Sequence, residues 1–186
     1  MRPPTRGVLT ADELLRMPDD DFRYELVEGT LIRMSPPGSV HGVIASRFAA
    51  ALTNWVERHD LGQVFVETGF RLTENPDTVR APDVSFVEKQ RIPPSGIPRA
   101  YWRGAPDLAI EVLSPDDSPA ETDEKVREYL GHGAQAVWVV DPDARAATVY
   151  GPDQPPQTLT EAESLDGGLV LPGFRRSLAQ IFKGLR

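Results

Sequence analysis

The stretch Ala105–Pro115, "APDLAIEVLSP", decides the fold. Leu108, Ala109, Ile110, Val112 and Leu113 make a short apolar run bounded by Pro106 and Pro115, the pattern of a strand entering a core. Apolar residues occupy both parities of the run, which predicts burial on both faces of a sheet. Glu111 interrupts it. A carboxylate is almost never fully buried unless it is paired or holds a metal. The rival reading is an outward-pointing strand residue, and the apolar neighbours on both parities weigh against it.

Working outward, "PDDSPAETDEKVREYLGHG" predicts a helix from Ser118 to Leu130, with glycines past its end. "QAVWVVDP" then reads as a second apolar strand. Two such strands joined through a helix predict parallel neighbours in a right-handed crossover. "AATVYG" follows as a strand after the turn "DPDAR". Upstream, "DVSFVEK" is a strand, "ENPDTVRAP" a loop, and "QVFVETGFRLT" one or two strands broken near Gly69. "SVHGVIASRFAAALTNWVERHD" carries apolar residues at helical spacing, predicting a helix over Ser39–Arg58 with Ser39 at its N-cap. "YELVEGTLIRMSP" predicts a β-hairpin, Tyr24–Val27 and Thr30–Met34, and "VLTADELLR" a short helix through Arg16. The proline-rich "QRIPPSGIPRAYWRGAP" is a long excursion, read as a loop folded over the sheet, with dimerisation or substrate contact through Tyr101 and Trp102 as the alternative. The tail adds short strands near Thr158 and Leu169 and a helix beginning near Ser177. The expected fold class is α/β (α+β): a mixed sheet flanked by helices, with an N-terminal hairpin.

Composition narrows the class. The 186 residues are 40% hydrophobic and 26% charged, as in an ordinary globular domain, and contain no cysteine for disulfides or zinc. One domain over residues 1–186 is expected, with residues 1–9 as a flexible arm. No apolar run is long enough to span a membrane, and the N-terminus lacks the apolar segment of a secretion signal, so a cytoplasmic location is the simplest fit. The net charge of −8 argues against a uniformly basic nucleic-acid binder but leaves room for a local basic face. Arg80–Arg103 holds five basic residues against two acids, and "FRRSLAQIFKGLR" holds Arg175, Arg176, Lys183 and Arg186 with no acid. Either could touch a phosphate backbone or simply be a solvated face.

Three acids stand where chemistry could sit. Asp83 opens a strand after Pro82, Glu111 lies inside the central strand, and Glu28 sits in the hairpin turn. Two carboxylates on neighbouring strands can converge on a hard cation such as Mg²⁺. Asp83 equally suits a strand or turn cap, and Glu28 before Gly29 is ordinary turn composition. Lys125 on the following helix could reach the carboxylates, or pair on the surface with Glu121. His41 near the start of the long helix could contact a phosphate, or be a capping or exposed histidine. No HExxH pattern and no Walker loop occurs, and Ser114 lacks the GxSxG context of a hydrolase nucleophile.

"YELVEGTLIRMSP", "HGVIASRF", "RAPDVSFV", "DLAIEVLSP" and "DEKVREYLGHGAQAVWVVDP" in this order resemble the Uma-type restriction endonuclease family of bacteria, within the PD-(D/E)xK nuclease superfamily. The resemblance runs from Thr10 to Phe182. It implies a restriction-endonuclease-like core and a Mg²⁺-dependent endonuclease, with Mn²⁺ as an alternative ion, hydrolysing phosphodiester bonds of nucleic acid, with DNA the expected substrate. Pro82-Asp83 matches the "PD" and Glu111 the acid of "(D/E)xK". Asp83, Glu111, the Val112 carbonyl and Glu28 would then be metal ligands, with Asp83, Glu111 and Lys125 the catalytic set, and His41 and Arg80 would contact substrate. The chain departs from the pattern at Leu113, where "ExK" has its lysine. In the family a lysine on the next helix is thought to replace it, and Lys125 matches that position. Pro106-Asp107 lies too close to Glu111 on the same strand to be its partner. A homodimer is expected, since paired sites cut both strands in this superfamily. The alternative is a nuclease-like module that binds nucleic acid or protein and cuts nothing.

Overall fold

The computed structural model describes residues 8–18, 20 and 22–185. In chain order its elements are α1 (Ala11–Leu15), β1 (Arg23–Val27), β2 (Thr30–Met34), α2 (Ser39–His59), β3 (Gly62–Val66), β4 (Phe70–Thr73), β5 (Thr78–Arg80), β6 (Val84–Glu88), β7 (Trp102–Arg103), β8 (Leu108–Val112), α3 (Pro119–Gly131), β9 (Ala136–Asp141), β10 (Ala146–Tyr150), β11 (Gln157–Thr160), β12 (Ser164–Asp166), β13 (Arg175–Ser177) and α4 (Leu178–Ile181). They make a mixed α+β fold with a six-stranded sheet, β11-β10-β9-β8-β6-β3, a five-stranded sheet, β2-β1-β5-β4-β7, and the small pair β12-β13.

Central β8 is buried at every residue. It runs parallel to β9, with Ile110 opposite Trp138, and antiparallel to β6, with Val84 opposite Ile110. Alternation divides its side chains. Leu108, Ile110 and Val112 face a core built with Ile44, Phe48, Leu52 and Val56 of α2 and Leu178, Ile181 and Phe182 of the tail. Ala109 faces the other way, with Val126 and Tyr129 of α3 and Phe70 and Trp102 of the second sheet. The apolar residues on both parities of "LAIEVL" thus reflect two cores, one on each side of one strand. No helix among the described residues is long and apolar enough to cross a membrane.

Local chemistry sets the element ends. Thr10 with Glu13 and Ser118 with Glu121 form capping boxes at α1 and α3. The hairpin turn takes positive φ at Glu28 (46°) and Gly29 (74°), the conformation a two-residue turn needs to match strand twist. Of the arm expected over residues 1–9, residues 1–7 lie outside the described residues, and the Leu9 N–H donates to the Gly29 carbonyl at 2.9 Å.

Four local expectations change. Thr78–Arg80, expected as loop, is a strand pairing both β1 and β4, too short between Pro76 and Pro82 to show a period. The proline-rich excursion contributes β7, which pairs in parallel with β4. Leu169 is 95% exposed in a turn, and the late strands lie on either side of it. Gly38, not Ser39, caps α2, with no side-chain hydrogen bond.

Phe48 is fully buried and its ring lies 6.3 Å from that of Trp138. Phe48→Ala should therefore cost about 3–5 kcal/mol of stability. Urea unfolding should show a lower midpoint with an unchanged slope, and an unchanged midpoint would mean that α2 does not anchor this core.

Candidate active site

The site lies where β8 ends and β6 begins. Ligand crevices in open α/β sheets form outside the carboxyl ends of strands, and Glu111 and Val112 sit at such an end. The antiparallel register places Asp83 beside Glu111, just before the first paired residue of β6. The Asp83 carboxylate accepts the Val112 N–H at 2.8 Å, closing the ladder where β6 has not yet begun. Its Oδ2 also lies 3.1 Å from His41 Nε2, at the first turn of α2. His41 is buried rather than exposed. Burial opposes its charged form, but the hydrogen bond and charge of Asp83 outweigh that and raise its pKa.

Glu111 is held from α3. The capping box fixes where α3 starts, and Lys125 and Tyr129, one turn apart, project from the same face. Lys125 Nζ lies 3.2 Å from Glu111 Oε2, and the Tyr129 hydroxyl donates to Glu111 Oε1 at 2.7 Å. Lys125 does not take the surface pairing with Glu121, whose carboxylate instead accepts from the Ser118 N–H and hydroxyl. Leu113 donates its N–H to the Val140 carbonyl and packs against the α3-side core.

Glu28 stands apart. It is exposed in the hairpin turn, with its N–H on the Thr78 hydroxyl, so the expectation that it completes a metal site is corrected. The hairpin acid that reaches the site is Glu25, 2% exposed, with Oε1 3.5 Å from Lys125 Nζ and accepting the Ala81 N–H at 3.0 Å. No local signal marks it: alternation sets Glu25 on the face of β1 opposite the core residue Leu26, a face that only tertiary packing covers. Arg80 is corrected too. Its guanidinium is buried, donating to Glu25 at 2.9 Å and Glu128 at 2.5 Å, and does not line the pocket. Burial disfavours its charge, yet the two carboxylates hold its pKa above the ordinary arginine value.

These contacts form a chain, Glu128–Arg80–Glu25–Lys125–Glu111, with three carboxylates against two cations and Asp83 alongside. The surplus negative charge shows on Glu111. Burial lifts its pKa to about 7, Lys125 works against the rise, and the charges of Asp83 and Glu25 add to it. Lys125 is the converse: burial opposes its ammonium, but Glu111 and Glu25 hold its pKa above the usual lysine range.

The pocket over these groups encloses about 230 Å³ and is lined by Asp83, Glu111, Val112, Lys125, His41 and Glu25 among others. Among the described residues no three His, Asp or Glu side chains form a ready metal-binding group. The donors here suit an ion that takes one or two carboxylates and fills its remaining positions with water or phosphate, as Mg²⁺ does. The surplus buried charge is what such a cation would relieve, so the residues fit it.

The basic segments read from sequence mostly pair with nearby acids. Lys89 pairs with Asp60, Arg91 with Asp107 at 2.9 Å, Arg103 with Glu74 at 3.4 Å and Arg175 with Asp166 at 3.6 Å. Arg186 lies outside the described residues. Asp107 is a bystander: it accepts the Glu88 N–H at 2.8 Å and the Arg91 bond at the opposite end of β8.

Comparison with known proteins gives this geometry a context. The chain matches no curated protein. It is similar to a putative nuclease belonging to DUF820 from Anabaena variabilis ATCC 29413, known from a crystal structure at 1.96 Å resolution. The TM-score is 0.83 and the sequence identity 27%, covering 94% of this chain and 97% of that one. The family model Uma2, described as "putative restriction endonuclease", matches residues 11–179. With nearly its whole length matched, the chain belongs to the Uma2 family.

Proposed function

We propose that this protein is a divalent-metal-dependent endonuclease that hydrolyses phosphodiester bonds of DNA. The observation that carries the reading is the convergence of Asp83, Glu111 and Lys125 at one strand end, with more buried carboxylate than buried cation. Asp83 and Glu111 would hold Mg²⁺ or Mn²⁺. Val112 sends its N–H toward Asp83, and in an extended strand the carbonyl of the same residue leaves on the same side, which makes it a third donor. When bound, the ion supplies a Lewis acid that polarises the phosphate and makes water a better nucleophile at neutral pH.

The protein's own groups do the remaining work. Lys125 offers an ammonium fixed beside Glu111, suited to orienting a water and offsetting charge that develops on the phosphate. Tyr129 orients Glu111 by occupying Oε1. His41 acts on Asp83 in this reading, fixing the carboxylate rather than contacting substrate directly. Glu25 holds Lys125 from the other side. Arg80 serves by anchoring Glu25. A duplex presents two strands, so a homodimer would bring one site to each.

Cleavage of plasmid DNA in Mg²⁺ or Mn²⁺ tests the assignment. Asp83→Asn, Glu111→Gln and Lys125→Met should each lower the rate by about 10²–10³-fold, the usual cost of removing one group that stabilises a transition state. Exposed Glu28→Ala should stay within about twofold of the parent protein. A parent protein that cuts nothing with either ion would defeat the proposal in favour of a binding module without activity, and three site variants that cut normally would defeat the assignment of the site.

The raised pKa of Glu111 has a definite sign. Folding favours its protonated form, so its contribution to stability is complete below the ordinary carboxyl range and is lost as pH rises through about 7. His41, also raised, acts in the same direction. In chelator the melting temperature should fall between about pH 4.5 and about pH 7, and Glu111→Gln should flatten that fall. Ligation requires the carboxylate, so Mn²⁺ affinity by calorimetry should rise across the same window, with proton release. A pH-independent Mn²⁺ affinity would contradict the assignment of Glu111 as ligand.

A further inference from the structure

The lining of the active-site pocket is acidic. It carries five carboxylates against two permanent cations, Arg23 and Lys125. A phosphodiester entering such a pocket needs more positive charge than a metal site and a committed lysine provide. Lys125 is committed: its side chain is 17% exposed and lies between Glu25 and Glu111. Arg23 is different. It is the first residue of β1, its side chain is 38% exposed, and it pairs with Glu67, itself 43% exposed. An ion pair this open contributes little to stability, so a better partner can displace it. A phosphate is such a partner, because the guanidinium fork matches two of its oxygens.

Glu67 is placed for exchange. It adopts positive φ (48°), uncommon for a residue with a side chain, and its N–H donates to the Asp83 carbonyl at 3.2 Å. Its backbone is thereby fixed to the strand end that bears Asp83. Arg23 lines the same pocket as His41 and Asp83.

We propose that Arg23 binds a non-bridging phosphate oxygen of the DNA strand in this pocket, and that Glu67 is its exchangeable partner, holding the guanidinium at the mouth until phosphate displaces it. This assignment rests on the nuclease reading above.

Fluorescence anisotropy with a short labelled DNA duplex, over a KCl series in Mg²⁺, tests it in the Glu111→Gln background, where the strand should stay intact. Arg23→Ala should weaken binding about tenfold and lower the slope of log affinity against log salt by about one. Glu67→Gln should tighten binding about threefold, a gain that misfolding cannot produce. That gain should vanish when Arg23→Ala is also present. If the Glu111→Gln protein binds duplex and Arg23→Ala matches it in affinity and salt slope, the assignment of Arg23 fails and the nuclease reading stands. An equal gain from Glu67→Gln with and without Arg23 overturns the exchange, since Glu67 would then act only by repulsion. If the duplex is neither bound nor, by the otherwise unsubstituted protein, cut, the nuclease reading fails and this assignment with it.

Discussion

A carboxylate in the middle of a strand buried on both faces has to be compensated, and much of this structure is arranged around compensating Glu111. β8 needs two cores, so its α3-side face is covered by a helix, and that helix brings Lys125 and Tyr129 to the two oxygens of Glu111. Lys125 is then a buried cation, and β1 answers it with Glu25. Glu25 is answered by Arg80, and Arg80 by Glu128 on α3 again. Each charge is stabilised by the next. Breaking one link in such a chain costs several kcal/mol because it leaves a buried charge alone. The five-stranded sheet, α3 and β8 are therefore tied together by charge as well as by apolar packing.

What was legible in the sequence follows from how far each signal reaches. The hairpin, the long helix, α3 and the parallel pair β8-β9 were predicted because helical period, turn residues and the glycines past a helix end are local. The α+β class followed from their order. Three-residue β5 and two-residue β7 are too short to carry a period, and their pairing is a tertiary fact. The same limit governs the site. Asp83, Glu111, Lys125 and His41 could be named from strand position, burial and motif order, and the structure brings them to one pocket. Glu28 was named for standing in the turn, whereas Glu25 lies on the face of β1 opposite the core residue Leu26 and is buried only by tertiary packing. Arg80 was read as a free cation because nothing local shows that two carboxylates, 55 residues upstream and 48 downstream, enclose it. Arg23 and Glu67 come from separate elements and meet only across the pocket.

The departure at Leu113 has a geometric explanation. Side chains at 111 and 113 fall on the same face of a strand, so a lysine at 113 would approach Glu111 along the face that α3 covers. In this chain that approach is filled by Leu113, packed into the apolar cluster with Val126 and Tyr129. The ammonium arrives at the same face from above instead, on α3, and stops 3.2 Å from Glu111. The exchange changes what the lysine depends on. A lysine on the strand would be positioned by β8 alone. Lys125 is positioned by the capping box at Ser118, by the packing of α3 and by Glu25, so its placement requires both sheets to be assembled. The charge chain running through Arg80 to Glu128 then has a role beyond neutrality: it ties α3 to β1, and so holds the Lys125 ammonium beside Glu111.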